Sequence, residues 1–196
     1  MKFILTIAVL FLLLFGLGAF LNYIETRQGK VFYDPILNFI KPRDVSGFIF
    51  FTTYCTALIA LIYAFSTPYR FLDLVQMYGV LTALRIITLF FIPLDPPIEI
   101  FPLKDKFLSS TFYNGGENMK DLFFSGHAAT LFLFCFFATN KILKYLFLVS
   151  ALIVSVCVII QHVLYSYDVI AAPIFAYIAY RFITKFSKHY YIDSSI

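Results

Sequence analysis

Marked only as apolar or polar, the chain falls into long apolar runs at about residues 3–22, 47–66, 71–93, 122–139, 142–161 and 167–186. Each is close to the roughly 20 residues that a helix needs to cross a hydrocarbon core about 30 Å thick. The pattern predicts an all-α, polytopic membrane protein with six transmembrane helices. No repeat, low-complexity tract or linker interrupts it, so residues 1–196 read as one integral-membrane domain.

The first run follows Lys2 and ends in small residues, as a cleaved signal peptide can. Its apolar stretch exceeds the usual signal core, which favours a retained helix. The fourth run, LFFSGHAATLFLFCFFAT, is short and carries Gly126 and His127 near its start. That suits a helix whose first turn lines a polar cavity. Two connections are long, 23–46 and 94–121. Six crossings place both on one membrane face, together with the turn at 162–166. The termini and the turns at Arg70 and Lys141 then lie on the other. Lys and Arg divide seven against seven between the faces, so the positive-inside rule leaves the orientation open.

Composition sharpens the membrane reading. Of the residues, 61% are hydrophobic and 13% charged, where a soluble domain carries about a quarter charged. The net charge of +4 forms no basic block, which argues against nucleic acid as a partner. Cys55, Cys135 and Cys157 all fall inside apolar runs. An odd number of cysteines so placed is neither a disulfide framework nor a metal site, and they read as small hydrophobes.

Polar residues at membrane depth are the candidates for chemistry. His127 opens the fourth run, His162 closes the fifth and Asp168 starts the sixth, all on the long-loop face. Either histidine alone reads equally well as an interfacial residue. Both beside Asp168 favour function. His189, in the polar tail, reads as solvated. Ser125 and Gly126 put small groups at a helix opening, where backbone N–H groups and the dipole favour an anion. Arg85 stands about 12 Å below the long-loop face at 1.5 Å per residue. It calls for a bundle-facing partner, either a phosphate or a structural ion pair.

Three stretches, LRIITLFFIPLDPP, KDLFFSGHAATLFLF and YSYDVIAAPIFAY, together resemble the sphingomyelin synthase-like branch of the type-2 phosphatidic acid phosphatase superfamily. The resemblance covers roughly residues 47–186. It implies transfer of a phospho-headgroup between a membrane phospholipid and a lipid acceptor such as ceramide or diacylglycerol, through a phosphohistidine. It also implies an active site on the non-cytoplasmic face. Carried over, His127 matches the acid/base histidine, Asp168 the orienting aspartate of the family's His-Tyr-x-x-Asp block, Tyr165 the tyrosine of that block and Ser166 its small polar residue. Arg85, Ser125, Gly126 and Tyr165 become substrate-binding candidates.

Two departures accompany the match. The family's nucleophilic histidine falls on Leu164, and leucine has no lone pair with which to attack phosphorus. Loss of a covalent nucleophile costs several orders of magnitude in rate. The chain then reads as a natural pseudoenzyme, an inactivated variant, or an enzyme in which His162 has taken over. In a continuous helix, His162 would stand about 120° from the direction of Asp168. The stretch VSVCVIIQHVL also lacks the arginine that the superfamily's phosphatases carry there, which favours the synthase branch. The rival readings are a lipid phosphate phosphatase and a non-catalytic lipid-binding membrane protein. No cofactor or metal is implied, since Asp95, Glu99, Asp105 and Glu117 show no ligand spacing.

Overall fold

Apolar runs become helices in lipid because every backbone N–H and C=O must find a partner within its own segment. The computed structural model describes residues 2–97 and 120–186. Helices α1 (Lys2–Glu25), α2 (Pro35–Phe39), α3 (Ser46–Ala64), α4 (Pro68–Phe91), α5 (Gly126–Phe137), α6 (Lys141–Ile160) and α7 (Ser166–Phe186) account for 77% of these residues. No strand occurs among them. A parallel bridge joins Lys30 to Leu94.

The helix starts are legible in their caps. Thr67 accepts from the Arg70 amide at 3.2 Å and is followed by Pro68, a residue whose fixed φ suits a first helical turn. Asn140 accepts from Ile142 and Leu143 at 2.8 and 3.3 Å and opens α6. Within the helices, Thr82, Thr88 and Thr130 donate their hydroxyls to carbonyls four residues back. Polar groups are thereby satisfied without water.

Among the described residues, five helices (α1, α3, α4, α6 and α7) are long and apolar enough to cross a membrane. The fourth run departs from the expectation of six full spans. Its helix, α5, has 12 residues and is about 18 Å long at 1.5 Å per residue. The reason is local. Ser125 caps the helix at its start, Asp121 is held off in an ion pair with Arg85, and Ala138 is extended at the other end. Eight of the twelve residues are buried, which marks a core helix rather than a lipid-facing one.

Helix α5 is the centre of the bundle. It packs against α3, α4, α6 and α7. Helix α7 buries Ala172, Ala176 and Ala179, small residues that let helices approach closely where lipid supplies no hydrophobic drive. Helix α1 packs on α4 and leaves Ile4, Phe11, Leu12 and Phe15 exposed.

The connections tie together at one end. Lys30 donates to the Pro93 carbonyl and accepts from the Asp95 amide, both at 3.1 Å. Gly29 approaches so closely that a Cβ would collide with the Leu94 carbonyl and lie 2.6 Å from the Asp95 nitrogen. Lys120 pairs with Asp95 at 3.0 Å. It also donates to the Arg27 carbonyl through Nζ, and its amide donates to Glu25 at 3.1 Å.

Candidate functional site

Helix α6 ends, and α7 begins, within five residues that decide the chemistry. Gln161 is fully buried. Its Nε2 donates to Ser46 Oγ at 2.6 Å, and its Oε1 accepts from the Val45 amide at 3.3 Å. The end of α6 is thus pinned to the start of α3. His162 follows with φ 56°. The His162 amide donates to the Ile159 carbonyl at 3.0 Å and the Val163 amide to the Val158 carbonyl at 3.3 Å. This is the Schellman pattern, with His162 at the left-handed position that glycine usually fills.

No continuous helix therefore runs from residue 162 to 168. Leu164 lies in the turn and not four residues up a helix from Asp168, so the expected helical spacing does not apply. The 120° objection to His162 lapses for the same reason. Leu164 is buried with the bundle's apolar core. The carboxylate of Asp168 is 1% exposed, and its Oδ2 accepts from the Tyr165 amide at 3.1 Å. An acid at the third helical position reaching back to the cap amide is one half of a capping box. Asp168 thus meets the backbone rather than an imidazole.

Sequence reasoning passed over Asp34. Its Oδ1 accepts from Ile36 and Leu37 at 2.9 and 3.4 Å, capping α2, while its Oδ2 accepts from the Ser166 amide at 2.6 Å. One carboxylate therefore serves two helix starts, where the dipoles favour negative charge. Burial pushes its pKa up, but the hydrogen bonds from Ser166, Ile36 and Leu37 outweigh that and hold it below its ordinary 3.8. The available signal was Asp34–Pro35, an N-cap residue followed by proline at the first helical position.

Tyr165 is buried and donates its hydroxyl to the Asp95 carbonyl at 2.8 Å while accepting from the Phe32 amide at 3.2 Å. Burial pushes its pKa up, and the Asp168, Asp95 and Asp34 charges push the same way against the Phe32 hydrogen bond. The group therefore stays a protonated donor. It binds the two long connections to the start of α7.

On the facing side, Ser125 caps α5 by accepting from the Ala128 amide at 3.2 Å, and its own amide donates to the Asp168 carbonyl at 3.2 Å. The Ser-Gly-His segment and the start of α7 are thus direct neighbours. His127 is half-buried, with its ring edge-to-face on Phe50 at 5.6 Å. Arg85 points inward, as its depth predicts. It meets Asp121 and the Phe124 carbonyl, each at 2.7 Å. The Asp121 contact is a structural ion pair. Phe124, fully buried, carries φ 37°.

A cavity of about 730 Å³ lies between residues 31–42, Pro97 and the turn, with His162 and Tyr165 among its walls. His127, Leu164, Asp168, Arg85, Ser125 and Gly126 are not among the lining residues. The sequence-derived site is therefore divided. Ser125, His127 and Asp168 gather at two neighbouring helix starts, whereas His162 and Tyr165 face the cavity. Among the described residues, no three His, Cys, Asp or Glu side chains cluster as metal ligands. His189, Glu99, Asp105 and Glu117 lie outside the described residues.

Fold and site together make a helical bundle, compatible with an integral membrane protein, that is polar at one end. Comparisons with models of known families, with curated proteins and with solved structures found no match for this chain.

Proposed function

We propose that the chain is a lipid phosphotransferase scaffold of the sphingomyelin synthase-like kind, crossing the membrane six times with α5 as the buried sixth segment. It engages the phospho-headgroup of a membrane phospholipid at the end where His127 and Asp168 begin neighbouring helices. Transfer to an acceptor such as ceramide or diacylglycerol is lost or very slow. The observation that carries this is what stands at residues 164 and 168. A leucine stands buried at the nucleophile's place, and Asp168 bonds the Tyr165 amide. With an imidazole at 164, the ring would attack phosphorus and His127 would give the leaving alkoxide its proton. Without one, headgroup binding is what remains.

A second reading keeps the enzyme. His162 sits outside helical geometry, with its Nε2 buried and without a hydrogen-bond partner, as a displaced nucleophile would. Water as acceptor would make it a lipid phosphate phosphatase. The test supplies purified protein with headgroup-labelled phospholipid and diacylglycerol and follows label into new lipid and into water. The proposal expects saturable lipid binding without label transfer. Label in water would favour the phosphatase.

A further inference from the structure

We propose that the connection between α1 and α3 docks on the bilayer itself. Residues 31–40 lie in the interfacial zone of one leaflet, with Tyr33, Ile36 and Phe39 turned into the boundary between headgroups and acyl chains. This goes beyond the headgroup-transfer reading and does not rest on it, since it needs only that the long helices cross a membrane.

The segment is turned inside out for a loop in water. Its only carboxylate, Asp34, is buried together with Leu37, whereas Val31, Phe32, Tyr33, Ile36 and Phe39 are exposed. Tyr33 is 78% and Phe39 89% exposed. Ile36 and Phe39 stand three residues apart on α2 and so share its outward side. Large apolar residues rarely stand together against water unless something covers them. A tyrosine, with an apolar ring and a polar tip, suits a membrane interface.

Two further observations point to a bilayer as the cover. Hydrogen bonds fix the height of the segment: the Phe32 amide donates to the Tyr165 hydroxyl at 3.2 Å, the Ser166 amide to Asp34 at 2.6 Å and the Arg43 amide to the Ile160 carbonyl at 3.1 Å. It therefore sits level with the end of α6 and the start of α7, both long enough to span. At that same end, Tyr167 and Ile170 on α7 and Phe48 and Phe51 on α3 are exposed. The apolar outer surface of the spans thus continues onto the segment. The second observation is charge. Lys30, Lys41 and Arg43 flank the segment and are exposed, the cations that an interfacial element sets among headgroups. Tyr33 and Phe39 also line the cavity of about 730 Å³, so its mouth meets the leaflet.

The chain contains no tryptophan, so Tyr33→Trp and Phe39→Trp, at exposed positions, each give a single fluorescent reporter. Leu58→Trp, exposed on α3 far from its ends, gives a ruler for the bilayer interior and a check on reconstitution. Full-length protein is placed in phosphatidylcholine vesicles whose chains are brominated near the carbonyl end or near the methyl end. Iodide, supplied on both sides, reports exposure to water. Carbonyl-end bromines should quench Tyr33→Trp and Phe39→Trp at least about twofold more than methyl-end bromines, as a depth of roughly 5–10 Å requires. Leu58→Trp should show the reverse order. Iodide should quench the two segment reporters severalfold less than free tryptophan. Strong iodide quenching with little effect of either bromolipid would overturn the proposal and leave the segment in water. Shielding from iodide and from both bromolipids would overturn it equally, with protein as the cover, whether a second copy or another part of this chain.

Discussion

Gly126 and the Arg85 guanidinium occupy what would be one volume: a Cβ at residue 126 would lie 2.5 Å from Nη1 and 2.8 Å from Cζ. The guanidinium is held by Asp121 and the Phe124 carbonyl, so it cannot move aside without giving them up. Gly126→Ala should therefore destabilise the bundle by about 1–3 kcal/mol, the usual range for overpacking. In an Arg85→Leu background the same change should cost close to nothing. Thermal unfolding of the four proteins in detergent measures that coupling.

Asp34 links stability to pH. Its folded-state pKa is lowered from 3.8, so its contribution is fully present above the unfolded-state value and is lost as pH falls through the folded one. Asp34→Asn should cost about 1–2 kcal/mol at pH 7, as lost caps do. The gap between the two proteins should hold from pH 7 to 5 and narrow below about pH 4. A gap that widened on acidification would contradict the assignment.

Tyr165→Phe removes a donor to Asp95 and an acceptor for Phe32 while keeping the ring. It should destabilise by about 1–3 kcal/mol and speed hydrogen exchange at the Phe32 amide before that in the helices. Uniform loss of protection would instead place the effect in the bundle core.

The long helices were legible because an uninterrupted apolar run has few other ways to satisfy its backbone in lipid. Helix α5 was less so. Its run is apolar enough, but Ser125 caps it late and Arg85 draws the preceding segment into an ion pair, a contact between residues 36 apart in sequence. The inward turn of Arg85 followed from its depth alone. The spacing from residue 164 to 168 misled because a helix was assumed where His162 adopts a left-handed conformation, and histidine gives no warning of that as glycine would. Asp34 was visible as a cap for α2, but its second role, 132 residues away at Ser166, is a tertiary fact.

Leu164→His should bring in the missing ring, though into a buried turn and beside a carboxylate already bonded to Tyr165. The change should therefore restore headgroup release or transfer only in part, and only while His127 is present. Leu164→His combined with His127→Ala should be as silent as the unmodified chain in the same labelled-lipid assay.

The most direct measurement is turnover of labelled phospholipid by the unmodified chain, read beside His162→Ala. The account predicts no release or transfer above a protein-free control in either protein. Robust turnover by the unmodified chain, abolished in His162→Ala, would contradict it and make His162 the working nucleophile.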